Sequence, residues 1–534
     1  MIRDWAERNL PDEARCHLRV LNIWAISRTG KSVKQTVYKL SRFFIAGVIG
    51  IVLGCCLAYV PAENSAFAQS MQEAQKVRLQ KLQIEAQKVF DLRRSTAQRL
   101  LWDWGGSETT SINTYDDPVL ISDFVYRHKR RTVKNNNFNL WGSLNLDEIH
   151  SFYLRLQGQH IDYNRGDEYR SSENQLKWNL EEGVGECTYI MNIDQAVKKY
   201  FKYTMPLQLR LTAGRFNTSL GSQLAYTKKT NGVQLDGQSK WVGFKIFAAR
   251  NLIDEENIDF SVPGFRSSKR YFYGGEVNYK GFKKHAPYLF ALIQEDRSGE
   301  NIEDLGQDYD YDSRYYGIGS RGQFTNKLYY SIEGIMEGGK SNPEAGTATD
   351  GTGLQGPPDV EHIDAWAFDA SLHYSVNVIT HPNLSIEYAF GSGDSDRSAK
   401  VVTTTPGNKE GTTDRNFLNF GYIDTGLSLA PRLSNLQMFK FGLSMTPSEF
   451  VKKRNVSLNA NFFLFRKDKK ESQISDNRAV LPQRNIGKEI DVSVVWNVFS
   501  DMNVSMDYGR FYPGAAYYYD EARDNVSLTI LYQF

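Results

Sequence analysis

Five basic side chains stand inside runs where apolar and polar residues alternate: Arg155 in YLRLQ, Arg210 in LQLRLT, Lys245 in GFKIF, Arg321 in GIGSRGQF and Lys440 in FKFGL. A guanidinium keeps its proton throughout the physiological range and grips a carboxylate through two parallel hydrogen bonds. Spread along a wall, such groups hold acidic solutes reversibly. The same alternation puts seven carboxylates on the side of these bases: Glu276, Glu333, Asp369, Glu387, Glu489, Asp491 and Asp507. With acids outnumbering bases, parity alone does not make a positive surface. Opposite charges facing each other across neighbouring strands would form bracing salt-bridge ladders instead. Arg215, in AGRF, falls at an expected bend, and its direction does not follow from the alternation.

Other chemistries find little support. None of His128, His150, His160, His285, His362, His373 and His381 lies in a G-x-S-x-G or H-E-x-x-H setting. Asp369 and His373 share a face but are four residues apart on one strand, too far for a hydrogen bond at about 3.3 Å per residue. Asp394 with Asp396, and Asp308, Asp310 and Asp312, offer oxygen ligands but lack the full spacing of a calcium loop. RTGKS (28–32) ends like a phosphate-binding loop, but Ala25 stands where its first glycine belongs. No catalytic role, metal or cofactor is expected.

These side chains need elements of period two to position them. In AWAFDASLHYSV (365–376), Trp366, Phe368, Ala370, Leu372, Tyr374 and Val376 share one face, and Asp369, Ser371, His373 and Ser375 the other. NLSIEYAFG, KEIDVSVVWNVF and NVSLTILYQF repeat the pattern. About eighteen such strands follow one another, each roughly ten residues long, the length of a tilted membrane-spanning strand. Short links such as LDEI and FTN alternate with long polar ones: 251–269, 297–312, 339–362, 393–434, 467–486 and 513–523. Tight turns on one side and long loops on the other characterise an up-and-down antiparallel barrel in a membrane. One face of each strand then meets lipid and the other a wet lumen. The sheet must close, because an unpaired edge in hydrocarbon costs several kcal/mol per backbone group.

Composition agrees. The 534 residues are 13% aromatic, with 30 Tyr and 30 Phe, and mean hydropathy is −0.49. Phe43 to Val60 is an apolar block behind Lys39 and Arg42, followed by an Ala66-Phe67-Ala68 cleavage pattern. The expectation is a signal peptide over 1–68 with a long n-region, a periplasmic lead-in helix over 69–98, and a barrel over 99–534. Without the leader the formal charge turns slightly negative, which excludes a basic surface for nucleic acid. Cys16, Cys55 and Cys56 leave with it, so Cys187 has no disulfide partner.

Several stretches resemble the alginate export family of outer-membrane barrels: LLWDWGG (100–106), LRLTAGRF (209–216), FGSGDSD (390–396), DRNF (414–417), IGKEIDVSVVW (486–496) and YGRFYPGAAY (508–517). The final decapeptide is similar to the signature by which bacterial outer-membrane barrels are recognised for assembly. The resemblance implies location in the outer membrane, an arginine-lined constriction, passage of an anionic polysaccharide, loops 339–362 and 393–434 as gates, and periplasmic export partners. A general diffusion porin for small ions and metabolites, and a scaffold with a plugged lumen, are the alternatives.

Overall fold

The computed structural model describes residues 102–122, 125–163, 184–252, 269–297, 311–341, 361–378, 380–397, 411–447, 456–476 and 478–534. The expected leader and lead-in helix lie outside the described residues. Strands follow in chain order: β1 (Trp102–Ser122), β2 (Val125–Asn145), β3 (His150–Tyr163), β4 (Val184–Asn192), β5 (Gln208–Leu220) and β6 (Tyr226–Gln238). Next come β7 (Val242–Asn251), β8 (Arg270–Tyr279), β9 (His285–Asp296), β10 (Tyr311–Thr325), β11 (Leu328–Ser341) and β12 (Glu361–Ser375). The last six are β13 (Asn383–Gly391), β14 (Leu436–Met445), β15 (Val456–Lys467), β16 (Asn485–Asn497), β17 (Met502–Pro513) and β18 (Arg523–Gln533).

Each strand pairs antiparallel with its sequence neighbours, and β18 pairs with β1, so the 18-stranded sheet closes. The seam runs from Ser107↔Gln533 to Tyr115↔Asn525. Gly106 and Phe534 exchange backbone hydrogen bonds of 2.8 and 3.0 Å. A Cβ at Gly106 would lie 2.4 Å from the Phe534 ring, so the last aromatic needs a glycine opposite it.

The alternation sorts the two faces as the sequence implied. On β12, Trp366 (52% exposed), Leu372 and Tyr374 point outward, while Glu361, Ile363, Ala365, Ala367 and Asp369 are buried. Ile318 and Met336, on β10 and β11, are 64% and 68% exposed. Large apolar groups bare on the outside of a closed sheet require lipid rather than water. Trp102, Trp241, Phe282, Phe324 and Phe499 are exposed at the end of the barrel where the turns are short, as an interfacial aromatic girdle would be.

Three expectations change. Strands are not uniformly ten residues: β1 and β2 each span 21 and form a tall hairpin, since the ladder continues through polar runs that carry no apolar period. The strand expected over 185–195 stops at Asn192 and becomes a helix, α1 (Ile193–Phe201). Asp194 in its first turn and Lys198 and Lys199 in its last suit the helix dipole, and Lys202 caps it at φ 58°. Lys199 reaches Asp147 of the β2–β3 turn at 3.1 Å. Burial acts to raise the Asp147 carboxyl, but the His150 and Ile149 backbone N–H groups and Lys199 hold it below its ordinary value. Third, the interior is not uniformly wet. Phe417, Leu418, Phe420, Leu429 and Leu433, from the β13–β14 link, form one buried apolar cluster with Phe272, Tyr315, Phe463 and Phe511 of the wall.

Candidate translocation path

The wall holds that cluster by offering carboxylates to backbone N–H groups. The β5–β6 link folds inward: Glu276 accepts from Gly221 N at 2.9 Å. Glu333 accepts from Ser222 N at 2.6 Å, from Ser222 Oγ at 2.8 Å and from the Tyr288 hydroxyl at 2.7 Å. Gly221 sits at φ 54°, and a Cβ there would strike Glu333.

The β13–β14 link is held the same way. Glu337 accepts from Leu418 N at 2.9 Å. Glu489 accepts from Leu427, Ser428 and Leu429 N at 2.6, 2.6 and 2.9 Å. The two links join at Phe420 N to Ala225 O, 3.0 Å, and Tyr422 N to Gln223 O, 2.9 Å. Within the second link Asp394 accepts from Asp396 N and Arg415 N, a turn-bracing role. Burial raises the Asp414 carboxyl, opposed by Arg397 at 3.3 Å.

The β15–β16 link adds a third anchor. Asp476 meets Arg478 and Arg523, each at 2.8 Å, and the Tyr517 hydroxyl at 3.0 Å. Burial pushes the Asp476 carboxyl up, but the two guanidinium groups outweigh it and hold it well below the ordinary carboxylate range. Lys467 donates to Ala479 O and Leu481 O.

Among the other residues singled out from sequence, Arg155 pairs with Glu186 at 3.3 Å. Lys440 lies between Glu387 (3.3 Å) and Asp424 (3.0 Å). Lys245 donates to Ser219 O at 2.8 Å. Arg215 follows the bend at Gly214 (φ 118°) and donates to Asn231 Oδ1 and Val184 O, bracing β4, β5 and β6. Asp369 and Asp491 are buried, and Asp507 accepts from Ser527 Oγ at 3.1 Å. Arg210, Asp236, Lys245 and Glu276 face one another in consecutive register across β5 to β8, so part of the wall is the bracing ladder.

Exposure reverses what counting implied. Of the seven expected acids, five are buried and two half-buried, whereas Arg210 and Arg321 are exposed. The Arg210 side chain is 56% exposed beside Asp236, and Arg321 lies over the Tyr288 ring at 5.4 Å with no carboxylate partner among the described residues. Sequence reasoning missed Glu337, although it shares the parity of Glu333 four residues earlier. It also missed Asp236, Glu186 and the buried Arg270–Asp296 pair (2.6 Å).

The family model described as alginate export matches residues 261–529, half of the chain's length. Solved structures from Pseudomonas aeruginosa are similar: OccK5 (OpdH), at 11% identity and TM-score 0.46, and OccK8 (OprE), at 11% and 0.43, each over 81% of this chain and 98% of the other. OccK2 (OpdF), solved in complex with glucuronate, is similar at 9% identity and TM-score 0.44 over the same shares. At such values these likenesses say nothing of cargo. No curated protein matches the chain.

Proposed function

Because the chain belongs to the alginate export family, we propose that this bacterial outer-membrane barrel is a channel for an anionic polysaccharide of the alginate type, or another acidic oligomer. Passage is passive and electrostatically guided. The observation that carries this reading is the exposure pattern: five of the seven wall acids are buried and two half-buried, most of them bonded to inward links or neighbouring strands, while Arg210 and Arg321 remain exposed. An acidic chain then meets bases rather than acids, and each contact is weak enough to release the unit. Arg155, Arg210 and Arg321 are assigned to one belt, and the β13–β14 link to the gate. The ladder from Arg210 to Glu276 favours a second reading, a neutralised wall that admits small ions and metabolites. Periplasmic partners would engage the turn end, where Tyr200, Phe201 and Tyr203 are exposed.

Planar-bilayer recordings test the cargo. Oligouronates should block the current, and Arg210→Ala with Arg321→Ala should weaken the block at least tenfold, as loss of a charged hydrogen bond worth about 1.5–3 kcal/mol requires. A large steady conductance that oligouronates do not block would establish the small-solute reading instead. Arg210→Ala and Arg321→Ala should each weaken block, and Arg155→Ala, at a buried guanidinium paired with Glu186, should weaken it less.

A further inference from the structure

On the outer face, β15, β16 and β17 change character together at the end of the barrel that carries the long links. Their outward places are apolar or aromatic along most of the span and then turn basic: Leu464 gives way to Arg466, Ile490 to Lys488 and Tyr508 to Arg510. The strands are neighbours, so the three bases share one patch. The change is not general to that rim. On β9, β12 and β18 the place next beyond the apolar run holds Glu295, Asp364 and Asp524.

Arg466 and Lys488 are exposed, and neither has a carboxylate partner among the described residues. Arg510 is half-buried and meets Asp524 at 3.4 Å, an acid that also accepts from the Tyr508 hydroxyl at 2.9 Å. Tyr512 gathers two of the bases: Lys488 Nζ lies 5.7 Å from its ring centre and the Arg510 guanidinium 5.4 Å. Each contact is favourable by itself, but together they hold two like charges around one ring, where they repel. An anion shared by the two relieves that repulsion.

We infer that this patch is a binding site for a membrane lipid whose headgroup carries phosphate. Beneath the bases Leu464, Ile490 and Met506 are 38%, 42% and 53% exposed, a surface for acyl chains along which the aliphatic stems of Lys and Arg also lie. A phosphate monoester carries about two negative charges on three acceptor oxygens. That matches one guanidinium fork and one ammonium point charge better than a carboxylate with its single charge does. The occupant is a lipid rather than a soluble anion because the patch continues the lipid-facing wall without a break. The site is on the outside of the barrel and goes beyond the channel reading, so the two can fail separately.

Native mass spectrometry on the purified, delipidated full chain in detergent tests it with three probes. They are lipid A, which joins phosphates and acyl chains on one disaccharide, the same glycolipid with its phosphates removed, and inorganic phosphate. Lipid A should bind, the dephosphorylated form should bind about tenfold more weakly, which is 1.4 kcal/mol, and inorganic phosphate should not displace lipid A. Lys488→Gln with Arg510→Gln should remove the preference for phosphate. Heat-modifiable gel mobility checks folding, and Arg466→Gln, at an exposed place on β15, is the second variant and should reduce the preference. Arg314→Gln with Lys340→Gln, at outward bases on β10 and β11, should bind as the parent does. Equal binding of the dephosphorylated glycolipid, or a preference kept in both β15–β17 variants, overturns the site. Equal loss in the β10–β11 variant means diffuse attraction and overturns the assignment to β15–β17. Displacement by inorganic phosphate overturns the lipid as occupant. Oligouronate block of the current should be the same in all these variants as in the parent, and its absence in the parent would overturn the acidic-cargo reading while leaving the lipid site standing.

Discussion

The β1–β3 wall and the β8–β16 wall use the same strand alternation for opposite ends. On β8, β11 and β16 the inward places go to Glu276, Glu333, Glu337 and Glu489, and each accepts backbone N–H groups from a link folded into the barrel. On β1–β3 they go to Thr109, Asn113, Asn137 and Asn139, whose polar atoms include several with no partner. A buried carboxylate is stable only with several donors around it, so it suits a permanent bond to the protein's own chain. An acid on the inner wall is thus not evidence about cargo until its donors are known.

The largest effect should come from Glu489→Ala, which frees three N–H groups at Leu427 to Leu429 and should lower unfolding stability by about 2–4 kcal/mol. Urea denaturation measures it, and protease cleavage within 427–433 should appear at the same time. Glu333→Ala, which releases Ser222 and the Tyr288 hydroxyl, should cost about 1–3 kcal/mol. If neither exceeds the cost of a surface change, the contrast between the walls collapses.

The alternation made the whole barrel readable before any coordinates. The number of strands and the outward set on β12 follow from residues that lipid forces into period two, whereas the added height of β1 and β2 runs through polar residues with no such period. What sequence hid was tertiary. Phe417, Leu418 and Phe420 sit in a polar link and look like surface loop until a Tyr315 hydroxyl and a Glu337 carboxylate meet them. The partners of Glu489 are backbone groups about sixty residues away, which no side-chain pattern announces. Helix α1 is too short for its period to stand out from the strand before it.

Acid should loosen the anchored links in a defined window. Asp476 has its folded pKa depressed, so its contribution is whole above the ordinary carboxylate value near 3.9 and is lost as pH falls through the lower folded value. Thermal unfolding should therefore be insensitive to Asp476→Asn substitution only at strongly acidic pH, and the variant should be less stable than the parent near neutrality. The smallest effect belongs to the other wall. Thr109→Val should leave stability unchanged or raise it, because it removes a buried oxygen that bonds nothing. A loss as large as that of Glu333→Ala would mean that Thr109 holds the fold through a contact of its own.

Ion selectivity tests the central claim most directly. The reversal potential across a potassium chloride gradient should show the parent channel preferring chloride, and Arg210→Ala with Arg321→Ala should shift it toward potassium. A channel that prefers potassium, or one indifferent to the two substitutions, would contradict the assignment of the buried acids to the links and the exposed bases to the path.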